Sequence, residues 1–200
     1  MNIILASKSP RRKELLEKFN LKFKVIESLF DESTVETKNV DPQDYCLRLA
    51  KGKCEEVANK YKSSLVIGAD TIVYYNDMIL NKPANKKEAI EHLNILSANT
   101  HQVYTGVFLM VKEKDISLSF YEKTDVTFNH LDNNDIEYYT THCNPYDKAG
   151  SYGIQDWSII FVEKINGCFN NVVGFPVSKF YKLAMNHKII NQIIKNNSNQ

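Results

Sequence analysis

Apolar and polar positions along the chain switch repeatedly between strand-like and helix-like spacing. The apolar run Ile3–Ala6 predicts a short strand, and Leu15, Leu16 and Phe19 predict a helix that Ser9 and Pro10 begin. The same pattern predicts further helices over about 41–61, 85–96, 132–141 and 177–184, and further strands over about 23–26, 65–74, 78–80, 103–111, 116–128 and 157–165. Asn76-Asp77 and Asn166-Gly167 are typical of turns that connect strands, the second pair being a hairpin candidate.

The predicted strands include several neighbours that are joined by short turns. Parallel neighbours would need long crossover connections, whereas antiparallel neighbours need only a turn. We therefore expect an α/β fold with a mixed, partly antiparallel sheet flanked by helices. A chain of 200 residues suits one domain, which we place at residues 1–190, with a polar C-terminal tail at 191–200 whose last six residues are expected to fray.

Composition and charge exclude several classes of protein. The 25 Lys+Arg residues nearly balance the 24 Asp+Glu residues, which argues against a broad basic surface for a nucleic acid polymer. A hydrophobic fraction of 43% with a net charge of +1 argues against an acidic disordered chain. The expected partner is therefore not a nucleic acid polymer, although local clusters of charge are still compatible with these totals.

Membrane association and secretion are also not expected. No stretch approaches the roughly 18 consecutive apolar residues that a membrane span needs. The apolar N-terminal run is too short for a signal peptide, and its basic residues follow it instead of preceding it. The 4 cysteines lack CxxC pairs and zinc-finger spacing, so we expect reduced thiols and a cytoplasmic location.

The first candidate for chemistry is the loop from Ser7 to Arg12. It places Lys8, Arg11, Arg12 and two hydroxyl groups at a predicted helix N-terminus, where unpaired N–H groups favour an anion such as phosphate. The alternative is a solvated helix start whose basic residues face water. The loop has neither the GxxxxGK[ST] nor the GxGxxG pattern, so the nucleotide-binding folds that carry those motifs are unsupported.

Asp70 is the second candidate, because it interrupts the apolar run Leu65–Tyr74. A buried carboxylate needs a cation or a hydrogen-bond donor, so Asp70 is a metal ligand, a general base or the structural partner of a buried Arg or Lys. Asp31 and Glu32 lie in a predicted loop, where the alternative is a solvated surface. If they meet Asp70 in space, the cluster suits Mg²⁺, which prefers oxygen ligands and substrate phosphates.

Three lysines, Lys53, Lys82 and Lys148, stand close to these predicted elements and could neutralise phosphate charge, although each could equally be a surface residue. The segment 146–155 contains two glycines, which permit close backbone approach. Gln155 offers both a donor and an acceptor, as reading of a base edge requires. The alternative for this segment is a simple glycine-containing turn.

Taken together, six motifs resemble the Maf family of nucleotide pyrophosphatases, relatives of inosine triphosphate pyrophosphatase, from Ile3 to about Ala184. The first five are LASKSPRR (5–12), RLA with Lys53 (48–53), GADT (68–71), KP (82–83) and TH with TGV (100–107). The sixth is DKAGSYGIQ (147–155), taken together with NVVGFP (171–176). The resemblance implies two lobes around a deep cleft, hydrolysis of a nucleoside triphosphate to the monophosphate and pyrophosphate, and a homodimer. It also implies a divalent metal cation, Mg²⁺ with Mn²⁺ as the alternative.

The resemblance also assigns roles to individual residues. The general base falls on Asp70, and the metal site on Glu32 with Asp70. The phosphate-binding cations fall on Arg12, Lys53 and Lys82, and the further substrate-binding positions are Ser7, Ser9, Arg11, Thr71, Asp147, Lys148 and Gln155.

Three of these positions imply which nucleobase the protein prefers. Arg11, Thr71 and Gln155 match the branch of the family that acts on dTTP and UTP, with CTP or modified pyrimidine nucleotides as further substrates. The sequence departs from the family pattern at Asn81, at Ala98-Asn99 and at Phe175, without removing a charged group from the expected site. The alternative function is a non-catalytic nucleotide-binding regulator of septum formation and cell division.

Overall fold

The computed structural model describes residues 1–36 and 40–198. Within these residues the strands are β1 (Ile3–Ala6), β2 (Lys24–Val25), β3 (Leu65–Tyr75), β4 (Met78–Leu80), β5 (Thr100–Val111), β6 (Ile116–Phe128) and β7 (Val162–Asn166). The α-helices are α1 (Pro10–Lys18), α2 (Pro42–Lys60), α3 (Lys86–Leu96), α4 (Asn133–His142), α5 (Phe169–Val173), α6 (Val177–Asn186) and α7 (Lys188–Asn197). None of the helices in the described ranges combines the length and the apolar character that crossing a bilayer requires.

The strands form a mixed sheet in the order β2-β1-β3-β5-β6-β7, and β4 also pairs with β3. β1 pairs in parallel with β2 and with β3, in a register that places Ile4 beside Lys24 and Val66. β4 is antiparallel to β3, and β7 is antiparallel to β6. The expected α/β fold with a mixed, partly antiparallel sheet is therefore confirmed.

The chain divides into two compact units. The first unit comprises Met1–Asp70, Thr105–Glu122 and Gly174–Gln200. Its core includes Ile4 and Ala6 of β1 and Val66 of β3, which pack with the buried residues Cys54, Val57 and Ala58 on one side of α2.

Two glycines let α2 lie unusually close to the strands of the first unit. A Cβ atom on Gly68 of β3 would lie 2.4 Å from the carbonyl oxygen of Ala50. A Cβ atom on Gly106 of β5 would lie 2.6 Å from the carbonyl oxygen of Cys46. A side chain at either position would push the helix outward, so these glycines determine how near the side chains of α2 come to β3.

The second unit comprises Thr71–Tyr104 and Lys123–Val173. Its core joins apolar residues of β3, β4, β5 and β6 to those of α3 and α4, and aromatic rings form much of it. His101 is fully buried in this core, where its Nε2 atom lies 2.7 Å from Oη of Tyr152 and its ring meets Phe128 edge to face. Burial lowers the pKa of His101 to about 3, so the ring is neutral at physiological pH.

The sequence prediction of a strand over 157–165 is wrong in its first half. Trp157–Phe161 forms a 3₁₀ helix, and β7 begins only at Val162. Asp156 begins this helix, because its Oδ1 atom accepts hydrogen bonds from the backbone N–H of Ser158 at 2.9 Å and from its hydroxyl at 2.6 Å. Ser158 and Phe161 are buried three residues apart, a spacing that suits a 3₁₀ helix and not the alternation of a strand.

One further prediction near the C-terminus, the hairpin at Asn166-Gly167, is also wrong. Asn166-Gly167 does not connect two strands, because the chain leaves β7 there and continues into α5. The backbone N–H of Cys168, just after this turn, donates to Thr124 Oγ1 at 3.0 Å. The fraying expected for residues 195–200 stays a prediction: Lys195–Asn197 lie in the last turn of α7, and residues 199 and 200 lie outside the described residues. This helix buries isoleucines on one face, and Asn197 Nδ2 donates to the carbonyl of Met1 at 2.8 Å.

Candidate active site

The loop between β1 and α1 is organised by the hydroxyl of Ser7, which is 6% exposed. Its Oγ atom accepts hydrogen bonds from the backbone N–H of Ser9 and from Nη1 of Arg12, both at 3.2 Å. Ser9 is the N-cap of α1 and Pro10 its first residue, as predicted, although the Ser9 side chain makes no capping bond. The loop therefore brings Ser7, Ser9 and Arg12 together at a helix N-terminus.

Arg12 is held at both edges of its guanidinium group. Besides the bond to Ser7, its Nε atom donates to the carbonyl oxygen of Gly174 at 2.9 Å. Gly174 has a φ of 120°, a conformation that L side chains rarely adopt. Sequence reasoning missed this anchor, for which the only local signal was a glycine before Phe175-Pro176.

Burial lowers the pKa of Arg12, and the nearby negative charge of Asp70 opposes that effect. An arginine stays protonated in proteins even so, which makes Arg12 a fixed positive charge within electrostatic reach of Asp70. A desolvated guanidinium with planar donors suits a phosphate group, because it binds oxygen pairs in a defined geometry.

Lys53 joins the two predicted acidic positions. Its Nζ atom donates a hydrogen bond to Oδ1 of Asp70 and lies 2.9 Å from Oε1 of Glu32. The side chains of Lys53 and Asp70 are only 11% and 9% exposed, whereas that of Glu32 is 46% exposed. The structure therefore brings Glu32, Lys53 and Asp70 into one cluster that is buried at Asp70 and open to solvent at Glu32.

Gly68 explains how Lys53 reaches Asp70. Residues 68 and 70 point to the same face of β3 because side chains alternate along a strand. At Gly68, the missing side chain lets the turn of α2 that contains Ala50 and Cys54 lie against the strand. Lys53 belongs to this turn, so its extended side chain runs along the strand to the carboxylate two residues further on.

Asp31 and Glu32, which sequence reasoning treated as a pair, play different structural roles. Asp31 begins the 3₁₀ turn Glu32–Thr34, and its Oδ1 atom accepts from the backbone N–H of Ser33 at 3.0 Å and from its hydroxyl at 2.7 Å. These hydrogen bonds lower the pKa of the fully exposed Asp31 carboxyl. Glu32 instead faces Lys53, so it is the member of the pair that belongs to the site.

The donor set fits a metal that is shared with a substrate. Glu32 and Asp70 each direct a carboxylate oxygen at the Lys53 ammonium group, so two hard ligand atoms face one position that a cationic group occupies. In the described ranges, no three His, Cys, Asp or Glu side chains are grouped as a ready-made metal site. Mg²⁺ commonly binds through one or two carboxylates, with water and substrate phosphates completing its coordination, and these two carboxylates match that requirement.

The remaining basic residues of the loop differ in their surroundings. Lys8 is exposed, and its Nζ atom lies 3.0 Å from Oε1 of Glu27. Arg11 is half-buried in the first turn of α1.

In the second unit, Lys148 lies among oxygen atoms of its own loop. Its Nζ atom donates to the carbonyl oxygen of Asn144 and lies 3.1 Å from Oδ1 of Asp147 and 3.2 Å from Oδ2 of Asp156. The Lys148 side chain is only 10% exposed, and a Cβ atom on Gly153 would lie 2.8 Å from its Cε atom. In this arrangement Lys148 cross-links both ends of the loop.

The same loop is connected to the segment that carries Lys82. The backbone N–H of Gly150 donates to the carbonyl oxygen of Asn81 at 3.2 Å, which places the exposed Lys82 beside this loop. Gly150 has a φ of 63°, and a Cβ atom there would lie 2.9 Å from the side chain of Val73. Two further predicted residues also lie in this unit: Thr71 is half-buried on β3, and Gln155 is exposed near the end of the same loop.

Comparison with known proteins shows the family to which the chain belongs. Residues 2–187 match the family described as Maf-like protein. The chain is 43% identical over 190 residues to the dTTP/UTP pyrophosphatase of Clostridium perfringens strain SM101, covering 94% of this chain and 98% of that protein. It is 48% identical over 179 residues to the dTTP/UTP pyrophosphatase of Bacillus cytotoxicus, covering 90% of this chain and 92% of that protein.

Among solved structures, the Staphylococcus aureus Ham1 protein is similar with a TM-score of 0.41 and 16% identity, covering 64% of this chain and 72% of that one.

Proposed function

The chain belongs to the Maf family, and on this premise we propose that it is a nucleoside triphosphate pyrophosphatase that hydrolyses dTTP and UTP to the monophosphate and pyrophosphate. The observation that carries the proposal is the cluster in which Lys53 bridges Glu32 and Asp70, with Arg12 in electrostatic reach. Two relatives named dTTP/UTP pyrophosphatases, at 43% and 48% identity, support the choice of substrate.

Asp70 is the proposed general base. Its carboxylate, directly or through a second water molecule that it orients, accepts a proton from the attacking water. The oxygen of that water bonds to the α-phosphorus while the bond from this phosphorus to the α–β bridging oxygen breaks. Lys53 and Arg12 offset the negative charge that develops on the pyrophosphate leaving group. Ser7 and Ser9 bind phosphate oxygens in the β1–α1 loop, where Ser7 already orients Arg12.

Glu32 and Asp70 are the residues that would hold the divalent metal, Mg²⁺ or alternatively Mn²⁺. When bound, such a cation polarises phosphate oxygens and reduces the repulsion between the substrate and an attacking nucleophile. The exposure of Glu32 leaves that side of the cluster accessible to a cation arriving with the nucleotide.

Three further residues are proposed to contact the nucleobase of the substrate. Arg11, Thr71 and Gln155 select thymine and uracil, and Gln155 suits this task because its amide offers a donor and an acceptor. CTP and modified pyrimidine nucleotides are further candidate substrates.

Lys82, Asp147 and Lys148 complete the proposed substrate-binding set. Lys82 is exposed and able to contact phosphate oxygens directly. Lys148 would have to exchange at least one of its carboxylate partners for the nucleotide, so its contribution to affinity should be smaller than that of Lys82.

The alternative function is a nucleotide-binding regulator of cell division without catalysis. A binding protein gains little from a buried general base, and Asp70 therefore favours the enzyme. We further propose a single domain over residues 1–190, a homodimer and a cytoplasmic location, the last supported by the four cysteines, which the structure shows as thiols.

The decisive experiment measures pyrophosphate release by the purified protein with Mg²⁺ and each of dTTP, UTP, CTP and GTP. We expect release from dTTP and UTP to exceed release from GTP, and methylated pyrimidine triphosphates extend the same comparison. Nucleotide binding without release from any member of the panel would favour the regulator and overturn the proposed enzyme.

A further inference from the structure

The segment that carries Glu32 is attached to one side of α2 by three successive contacts. The backbone N–H of Leu29 donates to Oε2 of Glu56 at 3.1 Å. The ring of Phe30 covers Gly52, where a Cβ atom would lie 2.4 to 2.6 Å from three ring carbons. The third contact is that of Glu32 with Lys53. Positions 52 and 56 are four residues apart and positions 53 and 56 are three apart, spacings that make each pair neighbours on the helix surface.

Gly52 occupies an unfavourable position for a glycine. It lies in the interior of the 19-residue helix α2, where glycine is a markedly poorer helix former than alanine. A glycine inside a helix usually has a packing or functional reason. Here the reason is visible, because any side chain at position 52 would occupy the space that the Phe30 ring now fills.

The position of Phe30 is transmitted to Glu32 through a short and constrained piece of chain. The backbone N–H of Phe30 bonds to Ser28 Oγ at 3.2 Å, and Asp31 follows directly as the residue that begins the 3₁₀ turn. Glu32 is the first residue of that turn. Only Asp31 stands between Phe30 and Glu32, so a shift of the backbone at Phe30 is passed on directly to Glu32.

We propose that Gly52 is a positioning residue of the active site. By lacking a side chain it seats the Phe30 ring on α2, and the seated ring holds the Glu32 carboxylate beside Lys53 where a divalent metal can be bound. This inference rests on the role of Glu32 in the proposed function.

The test is Gly52→Ala, which adds the single carbon atom that the ring excludes. We expect the thermal unfolding midpoint to stay the same or rise, because alanine favours the helix. We expect the dissociation constant of Mn²⁺ to rise by about tenfold, the lower end of the effect of disturbing residues that orient metal ligands. Mn²⁺ binding is followed by electron paramagnetic resonance, with dTTP carrying an imido bridge between its α and β phosphates as a substrate that resists hydrolysis.

Three further variants make the result specific. Lys51→Ala changes the exposed neighbouring position of the same helix and should leave Mn²⁺ affinity unchanged. Phe30→Ala should weaken Mn²⁺ binding, and adding Gly52→Ala to it should have no further effect, since no ring remains to be displaced. An additive loss in the double variant would overturn the inference.

Glu32→Gln separates this inference from the proposed function. If Glu32→Gln weakens Mn²⁺ binding while Gly52→Ala does not, Gly52 has no positioning role and the metal site stands. If Glu32→Gln leaves Mn²⁺ binding and turnover unchanged, both the metal-binding role of Glu32 and the role of Gly52 are refuted. Pyrophosphate release by the unmodified protein tests the proposed activity independently of either result.

Discussion

Replacing Asp70 by asparagine should separate the chemistry of the site from its stability. The asparagine side chain keeps the shape of the aspartate and an oxygen that can accept the hydrogen bond from Lys53, and Lys53 keeps its ion pair with Glu32 at 2.9 Å. The stability loss is then the difference between an ion pair and a hydrogen bond from the same ammonium group to a neutral amide oxygen, about 1–2 kcal/mol. For a chain of this size, that corresponds to a fall of about 2–8 °C in the unfolding midpoint.

The catalytic effect should be far larger than the thermal one. A positioned general base contributes about 10²–10⁴-fold to a rate, so kcat for pyrophosphate release from dTTP should fall by about that factor in Asp70→Asn. Asp77→Asn is the matched control, because it makes the same chemical change in an exposed turn, where the carboxylate bonds to the hydroxyl of Tyr74 at 2.8 Å. An Asp70→Asn protein that folds normally and keeps more than a tenth of its kcat would refute the assignment of Asp70 as the base.

Three other perturbations have defined outcomes. Gln155→Ala should lower kcat/KM for dTTP and UTP more than for GTP, and an equal loss for all three nucleotides would contradict a role in base selection. Arg12→Lys removes the fork that spans Gly174 O and Ser7 Oγ; we expect a rise in KM of at least about tenfold and a stability loss of about 1–3 kcal/mol by urea unfolding. Burial lowers the pKa of His101 to about 3, below the unfolded value of about 6.5, so the unfolded chain binds more protons between these limits. The free energy of unfolding should therefore rise with pH across that range, and His101→Asn should show a shallower rise, by up to about 1.4 kcal/mol per pH unit; equal slopes would show that His101 does not titrate as described.

Local patterns were sufficient for most elements of the fold, because the signals there are strong and short in range. The apolar run around Asp70 predicts β3, and Asp41 and Asn85 begin α2 and α3 as their side chains suggest. The strand prediction failed at Trp157–Phe161, because a short, mainly apolar run does not distinguish a strand from a 3₁₀ helix. The decision there depends on the hydrogen bonds of Asp156.

The candidate site likewise has parts that local sequence predicts and parts that it does not. Its charged residues could be selected from the sequence because a carboxylate within an apolar strand and basic residues at a helix start are unusual. The parts that position them are contacts between distant segments, such as the carbonyl of Gly174 on Arg12 and the ring of Phe30 on Gly52. Nothing in the local pattern around a glycine states which distant atom will occupy the space that its missing side chain leaves.

The last turn of α7 has a consequence for protein engineering. Asn197 donates to the carbonyl of Met1, and its own carbonyl accepts from the backbone N–H of Lys22 at 2.7 Å, so residues 1 and 197 are immediate neighbours. A short linker can therefore connect residues 1 and 197, and circular permutation succeeds at such neighbouring surface positions. A permuted chain joined there and opened at the exposed turn after Lys112 would keep the residues from Ser7 to Asp70 on one continuous segment.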